Sequence, residues 1–260
     1  MARIYPLFSS SKGNCTYLGD AYGGLLVDCG VSCKRVCDAF TENGLVPDAV
    51  KAVFITHTHS DHISGLKVFL KKYPVPVYAS SMTLRVLGSK GVLPEGHECH
   101  EVDSGRVTAW KFIVRAFPTP HDCPGSCCYQ FTYPDGKTAA VCTDLGVMTD
   151  EIYEGLRGSR LILLESNYDA DMLRNGRYPA DLKARIAGGW GHLSNNACGE
   201  NMMRFFRDGT VHFVLGHLSE ENNTPQLAER SAVEAMQPLR RERDYAMYIA
   251  PPCGGKAVVF

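Results

Sequence analysis

The chain has 260 residues, 45% hydrophobic and 21% charged, with a formal net charge of −1. These values fit a globular protein with a sizeable core, and the near-neutral charge excludes a chain-wide basic surface for nucleic acid. The first residues contain no apolar signal core, and no apolar run reaches membrane-spanning length. We therefore expect a cytoplasmic protein without a membrane partner, whose 11 cysteines are reduced.

Apolar strands alternate with amphipathic helices along the first half of the chain. The sequence predicts strands at 3–8, 14–18, 24–28, 50–55 and 75–79, and helices at 32–43, 63–72 and 81–87. A turn rich in hydroxyl and amide groups, at 9–14, joins the first two strands and contains Ser11 and Asn14. His97 and His100 follow no apolar strand, so we predict that they are surface residues.

The second half continues the same alternation. It predicts strands at 107–110, 111–117, 128–133, 137–142, 160–164, 210–215, 245–250 and 256–260, and helices at 169–175, 180–187, 192–207 and 225–236. Strand blocks interrupted by helices in both halves predict two sheets with helices on their outer faces, an α/β fold in four layers. No repeat or linker divides the sequence, so we expect one domain over residues 1–260.

A histidine-rich turn lies between the predicted strand 50–55 and the helix that follows it. Its four potential metal ligands are His57, His59, Asp61 and His62. In an extended loop, residues two apart point to the same side, so the first three are expected to converge while His62 points elsewhere. Imidazole nitrogens and a carboxylate suit a zinc-like ion, and two ligand directions suggest two adjacent ions. The alternative is a polar helix cap without metal.

Further polar side chains stand at the ends of later apolar strands. They are His121 in a proline-rich loop, Asp144, Glu165 and His217, while His192 precedes a predicted helix. Each has an ordinary structural explanation when taken singly. A lone histidine is usually structural and an aspartate at a strand end is often a cap. His121, however, follows a strand end in a proline-stiffened loop, where sites are commonly built, and the two oxygens of Asp144 could bridge a metal pair.

The order His57-x-His59-x-Asp61-His62, His121, Asp144, His217 resembles the metallo-β-lactamase superfamily. The resemblance implies an αβ/βα sandwich with a dinuclear metal site at one edge. It also implies which residues bind each ion. His57, His59 and His121 would bind the first ion, Asp61, His62 and His217 the second, and Asp144 would bridge them. Zn or Mn is expected, with Fe also compatible, and two such ions can activate a bridging water as nucleophile.

Glu165 and Gly191-His192-Leu193-Ser194 resemble motifs of the nucleases in this superfamily. We expect Glu165 to orient His192, and His192 to protonate the leaving oxygen, so that the catalytic residues are Asp61, Glu165 and His192. The alternative is that His192 merely opens a helix capped by Ser194, with Glu165 a surface acid.

The compact bacterial YycJ (WalJ)-type exonucleases are the branch most similar to this sequence. The resemblance lies in Ser9–Thr16, in His217–Asn223 and in a glycine-rich tail at Gly254 and Gly255. It implies 5′-to-3′ exonuclease activity on DNA, with RNA as a second possible partner, and we expect substrate contacts from Ser11, Asn14 and Ser194. Two rival functions are a metallohydrolase of a thioester, lactone or cyclic phosphodiester and a non-catalytic metal-binding protein.

Overall fold

The computed structural model describes residues 1–103 and 105–260, and within these ranges the chain forms 14 strands and nine α-helices. The strands are β1 (Arg3–Ser10), β2 (Gly13–Gly19), β3 (Gly24–Val27), β4 (Val50–Phe54), β5 (Val77–Ala79), β6 (Cys99–Glu101), β7 (Val107–Ala109), β8 (Phe112–Pro118), β9 (Cys127–Thr132), β10 (Thr138–Cys142), β11 (Leu161–Glu165), β12 (His212–Gly216), β13 (Ala246–Ile249) and β14 (Val258–Val259). The helices are α1 (Cys33–Glu42), α2 (Ser60–Ile63), α3 (Leu66–Lys72), α4 (Ser81–Ser89), α5 (Asp150–Leu156), α6 (Ala170–Asn175), α7 (Ala180–Ala187), α8 (Asn195–Arg207) and α9 (Pro225–Ala235).

The strands form two seven-stranded mixed sheets. The first has the order β14-β1-β2-β3-β4-β5-β6, and the second has the order β13-β12-β11-β10-β9-β8-β7. In each sheet one half is antiparallel and the other half is parallel. The parallel strands of both sheets read as nearly continuous apolar runs, because helices cover their outer faces.

Three apolar clusters separate the layers. The central one joins Phe54 of the first sheet to Phe131 and Leu163 of the second. A second cluster packs α1 and α3 on the first sheet, and a third packs α5, α8 and α9 on the second. The predicted four-layer α/β sandwich is therefore confirmed.

One local prediction was wrong, and two elements were missed. The helix predicted at 63–72 is divided into α2 and α3, because the Gly65 N–H donates to the Cys29 carbonyl at 2.9 Å and not to a carbonyl of its own helix. The Val31 carbonyl also lies so close that a Cβ at Gly65 would meet its oxygen at 1.8 Å. The strand β6 and the helix α5 were not predicted, since β6 has only three residues, half-buried or exposed, and α5 is a short helix. No helix in the described ranges is long and apolar enough to cross a membrane.

Candidate metal centre

The predicted metal ligands lie at one edge of the sandwich, where several strands end. His57, His59, Asp61 and His62 follow β4, and the remaining ligands follow strands of the second sheet. These are His121 after β8, Asp144 after β10 and His217 after β12. Strands β10, β11 and β12 are parallel, and β8 has the same direction because β9 runs antiparallel to both β8 and β10. Their carboxyl ends therefore meet at the same edge.

Three histidines form the first group of the site. Each contributes one ring nitrogen, and these three nitrogens lie within 4.8 Å of one another. The residues are His57, His59 and His121. The His59 Nδ1 atom is 3.1 Å from His57 Nε2 and 3.3 Å from His121 Nε2. Three converging imidazole nitrogens are a common ligand set for zinc with one coordination position left open.

Asp61, His62 and His217 form the second group. Asp61 Oδ2 is 3.3 Å from His62 Nε2 and 3.6 Å from His217 Nε2. The geometric expectation that Asp61 would converge with His57 and His59 was wrong. Helix α2 begins at Ser60, so Asp61 belongs to a helical turn and not to an extended loop. The grouping implied by the superfamily resemblance is the one that the geometry favours.

The Asp144 carboxylate lies between the two groups. Its Oδ2 atom is 3.3 Å from His62 Nε2, and its Oδ1 atom is 3.8 Å from His121 Nε2. Asp144 Oδ2 and His217 Nε2 are buried and have no hydrogen-bond partner in the described part of the chain. Buried polar atoms are nearly always satisfied. Two unsatisfied ones among converging ligand atoms therefore fit divalent metal ions.

The protonation of the histidines differs between the two groups. Burial lowers the pKa of His57 and His59, and neighbouring histidines lower it further, which keeps both rings neutral as metal binding requires. Burial also lowers the pKa of His217, but the carboxylates of Asp144, Asp61 and Glu165 outweigh burial and raise it to about 10. The carboxylates of Asp61, Asp144 and Glu165 thus lie within 3.6 Å of this imidazole, and their negative charge favours a cation among them.

Three ligand histidines are held through Nδ1, which leaves Nε2 facing the centre. The partners are Asp28 Oδ2 for His62 (2.8 Å), the Gly191 carbonyl for His121 (3.0 Å) and Glu165 Oε1 for His217 (2.7 Å). Such outer contacts fix the tautomer and the ring orientation of a metal ligand. His59 is reversed, because its Nδ1 faces the centre while its Nε2 lies 3.7 Å from Asp122 Oδ1.

Asp28 contacts a candidate ligand of the centre and was missed from the sequence. Besides His62, its carboxylate accepts hydrogen bonds from the Thr56 backbone N–H and the Thr56 hydroxyl, both at 2.9 Å. It therefore ties the end of β3 to the start of the histidine-rich turn. The available indication was an apolar strand, 24–27, that ends in a carboxylate.

Changing Asp28 to asparagine is expected to weaken metal binding by about 10–100-fold, the usual effect of losing an outer partner of a ligand. The amide keeps the size of the side chain and tolerates the backbone φ of 60° at this position. Titration of metal against a competing chelator measures the change. Asp135→Asn, in the exposed turn between β9 and β10, is the matched control. Equal affinities for Asp28→Asn and wild type would mean that His62 is oriented without this carboxylate.

Glu165 connects His192 to the metal ligands. Its Oε1 atom is 2.8 Å from His192 Nδ1 and 2.7 Å from His217 Nδ1, and its Oε2 atom accepts backbone N–H groups of Leu145 and Leu193. Glu165 is fully buried. Burial raises its pKa, but the two imidazoles outweigh burial and hold it below the usual range. The carboxylate is therefore ionised, and it is not the surface acid of the alternative interpretation.

The three predicted substrate-binding residues have different surroundings. Ser11 is exposed and lines a cavity beside His192. Asn14 is buried, with its Nδ2 atom 3.2 Å from Asp61 Oδ2 and 3.0 Å from His62 Nε2. Ser194 caps α8 by accepting a hydrogen bond from the Ala197 N–H. Of the three, only Ser11 lines this cavity.

The comparisons with known proteins agree with this geometry. A family model described as beta-lactamase superfamily domain matches residues 24–217. The chain belongs to the beta-lactamase superfamily. Within this superfamily it is 34% identical over 251 residues to the exodeoxyribonuclease WalJ of Streptococcus pneumoniae, which covers 95% of this chain and 93% of that protein. It is also 34% identical to the exodeoxyribonuclease YycJ of Bacillus anthracis, over 89% of this chain and 88% of the relative.

A solved structure supports the same fold assignment within the superfamily. The metallo-beta-lactamase fold protein YhfI of Bacillus subtilis superposes with a TM-score of 0.74 at 16% identity, over the whole of both chains. The predicted αβ/βα sandwich of the metallo-β-lactamase type and the predicted resemblance to the YycJ (WalJ)-type proteins are thus confirmed. The chain is a metal-dependent hydrolase of this superfamily.

Proposed function

We propose that this chain is a 5′-to-3′ DNA exonuclease with two divalent ions, Zn or Mn, in the centre described above. His57, His59 and His121 would bind one ion, Asp61, His62 and His217 the other, and Asp144 both. The observation that carries the proposal is Glu165, whose Oε1 atom contacts a metal-ligand histidine and His192 at once. A proton donor is thereby fixed beside the ions, as phosphodiester cleavage requires.

The relatives support the choice of substrate. Two proteins named exodeoxyribonuclease each share about a third of their residues with this chain, over nearly its whole length. The chain also has the complete set of ligand positions that the superfamily resemblance implies.

The ions would supply a water of lowered pKa and would stabilise charge on the phosphoryl oxygens. The protein residues supply the proton transfer. Glu165 accepts from His192 Nδ1, so the transferable proton of this imidazole is on Nε2, at the rim of the site, where 22% of the side chain is exposed. Burial lowers the pKa of His192, but the Glu165 carboxylate outweighs burial and raises it, which favours the donor form.

The bond changes follow from the proposed polarity. Water adds its oxygen to phosphorus, the P–O3′ bond breaks, and its electron pair remains on O3′. His192 gives its proton to that oxygen, and the proton that the water releases restores His192. The products are a nucleotide with a free 3′-hydroxyl and a strand that keeps a 5′-phosphate.

A small-molecule hydrolase is the second candidate function. One observation favours it: the formal net charge of −1, which gives no chain-wide basic surface for nucleic acid. Hydrolysis of a thioester, lactone or cyclic phosphodiester needs no such surface.

The test compares linear DNA with a 5′-phosphate, linear DNA with a 5′-hydroxyl and circular DNA, each with Mn or Zn. We expect progressive release of mononucleotides or short products from the 5′ ends, no cleavage of the circle, and a shallow loss of affinity with salt because few phosphates are contacted. Equal cleavage of all three substrates would exclude recognition of an end. Rapid hydrolysis of a lactone or thioester without any cleavage of DNA would establish the small-molecule function instead.

A further inference from the structure

Helix α7 has an apolar face that no core covers. It contains no buried residue, although Leu182 and Ile186 stand at i and i+4 on one side of it. Both side chains are half-buried, and both line the cavity beside His192. An amphipathic helix normally turns its apolar face to a core. Here that face borders a space that His192 and Asp122 also line, which indicates contact with a ligand beside the candidate metal centre.

The cavity beside His192 combines this apolar wall with a cation and an aromatic ring. The cation is Arg185, whose Nε–H donates to Asp122 Oδ2, while Asp122 Oδ1 lies 3.4 Å from His121 Nε2. Among the described residues this is the only hydrogen bond that the Arg185 guanidinium donates, so its terminal N–H groups remain for a phosphate. The aromatic ring is that of Tyr178, which is half-buried and also lines the cavity.

Tyr178 also borders a second cavity, of about 430 Å³, farther from the metal centre. We call this second cavity the outer cavity and the one beside His192 the inner cavity. The inner cavity measures about 180 Å³, less than the roughly 300–1,000 Å³ of sites that enclose a whole ligand. The two cavities share Tyr178, so the part of a nucleotide that exceeds the inner cavity would lie against this residue. A sugar with its phosphate fits the inner space, and a flat base fits over the ring.

We infer that the cavity lined by Tyr178, Leu182, Arg185 and Ile186 holds the 5′-terminal nucleotide of the strand, with its base stacked on Tyr178. This inference rests on the proposed exonuclease function and goes beyond it, because it assigns the residues that recognise the leaving nucleotide.

The position of His192 decides which nucleotide this is. His192 lines the inner cavity, and its proton goes to the leaving O3′ oxygen. In cleavage from a 5′ end, that oxygen belongs to the terminal nucleotide. The terminal nucleotide therefore lies on the His192 side of the scissile phosphate, which joins it to the rest of the strand. Arg185 contacts this same phosphate.

The experiment measures kcat/KM on single-stranded DNA with a normal or an abasic 5′-terminal nucleotide. The wild type should prefer the normal end by roughly tenfold or more, the effect of one stacked base. Tyr178→Ala should reduce this preference to about one, while Tyr178→Phe keeps it. Tyr22→Ala, which removes a tyrosine that is 87% exposed and remote from the site, should behave as wild type. An abasic nucleotide in the middle of the strand should not distinguish Tyr178→Ala from wild type.

The outcomes separate this inference from the proposed function. DNA degradation without preference for the normal end, or with a preference that survives in Tyr178→Ala, overturns the inference and leaves the exonuclease intact. If the wild type degrades no DNA, the exonuclease function fails, and calorimetry with dAMP and deoxyribose 5-phosphate then decides on the pocket. If the wild type binds dAMP roughly tenfold more tightly than deoxyribose 5-phosphate, and Tyr178→Ala loses this difference, the pocket is supported. Equal affinities of the wild type for the two ligands refute it.

Discussion

Asp144→Ala is expected to lower the metal content from two ions per chain to one or fewer and to reduce hydrolysis below detection. The physical reason is that one carboxylate lies within 3.3 Å of His62 Nε2 and within 3.8 Å of His121 Nε2, so both groups of ligands lose the same anion. Elemental analysis of the purified variant measures the loss independently of activity.

Asp144→Asn is the second variant for this prediction, because the backbone φ of 60° strains alanine but is tolerated by asparagine. It keeps the shape of the side chain and removes its charge. Asp135→Asn again serves as the control for loss of an aspartate elsewhere. If Asp144→Asn and Asp144→Ala both retain two ions per chain, Asp144 does not bridge the centre.

His192→Ala is expected to keep both ions and a normal fold, and to reduce turnover by roughly 10²–10⁴-fold, the usual contribution of a general acid. Its side chain is 22% exposed, and without it Glu165 keeps its contacts with His217 Nδ1 and with the Leu145 and Leu193 N–H groups. A substrate with a p-nitrophenolate leaving group needs less protonation and should recover part of the lost rate.

His100→Ala is the matched control for this variant. His100 Nε2 contacts Glu98 Oε1 at 2.7 Å, which reproduces an imidazole–carboxylate pair away from the metal centre. Equal losses of rate on poor and good leaving groups in His192→Ala would show that His192 is not the proton donor.

Glu165→Gln should lower both metal content and turnover, since its carboxylate also holds His217.

The convergence of the candidate ligands could be predicted from the sequence because each follows an apolar strand, and parallel strands bring their ends together. The division between α2 and α3 could not be predicted, because it depends on the hydrogen bond from the Gly65 N–H to the distant Cys29 carbonyl. The position of Asp61 depends on where α2 begins. A helix that starts at Ser60 turns its carboxylate away from the first group of histidines.

Other parts of the site depend on contacts that local sequence does not encode. Asp28 reaches His62 only because β3 and β4 are neighbours in the first sheet. Nothing in the sequence distinguishes Arg185 from the other arginines until the fold brings it against Asp122. His97 and His100 are half-buried, and neither belongs to a group of potential metal ligands in the described part of the chain, so they lie apart from the centre as predicted.

Three residues of the centre have left-handed backbone conformations. Asp28, Asp144 and His217, at the carboxyl ends of β3, β10 and β12, have φ values of 60°, 60° and 55°. Such a conformation costs a residue other than glycine about 1 kcal/mol or more. The contacts of these side chains, such as those of Asp28 with Thr56 and His62, therefore hold the backbone at the strand ends in a conformation that it would otherwise avoid.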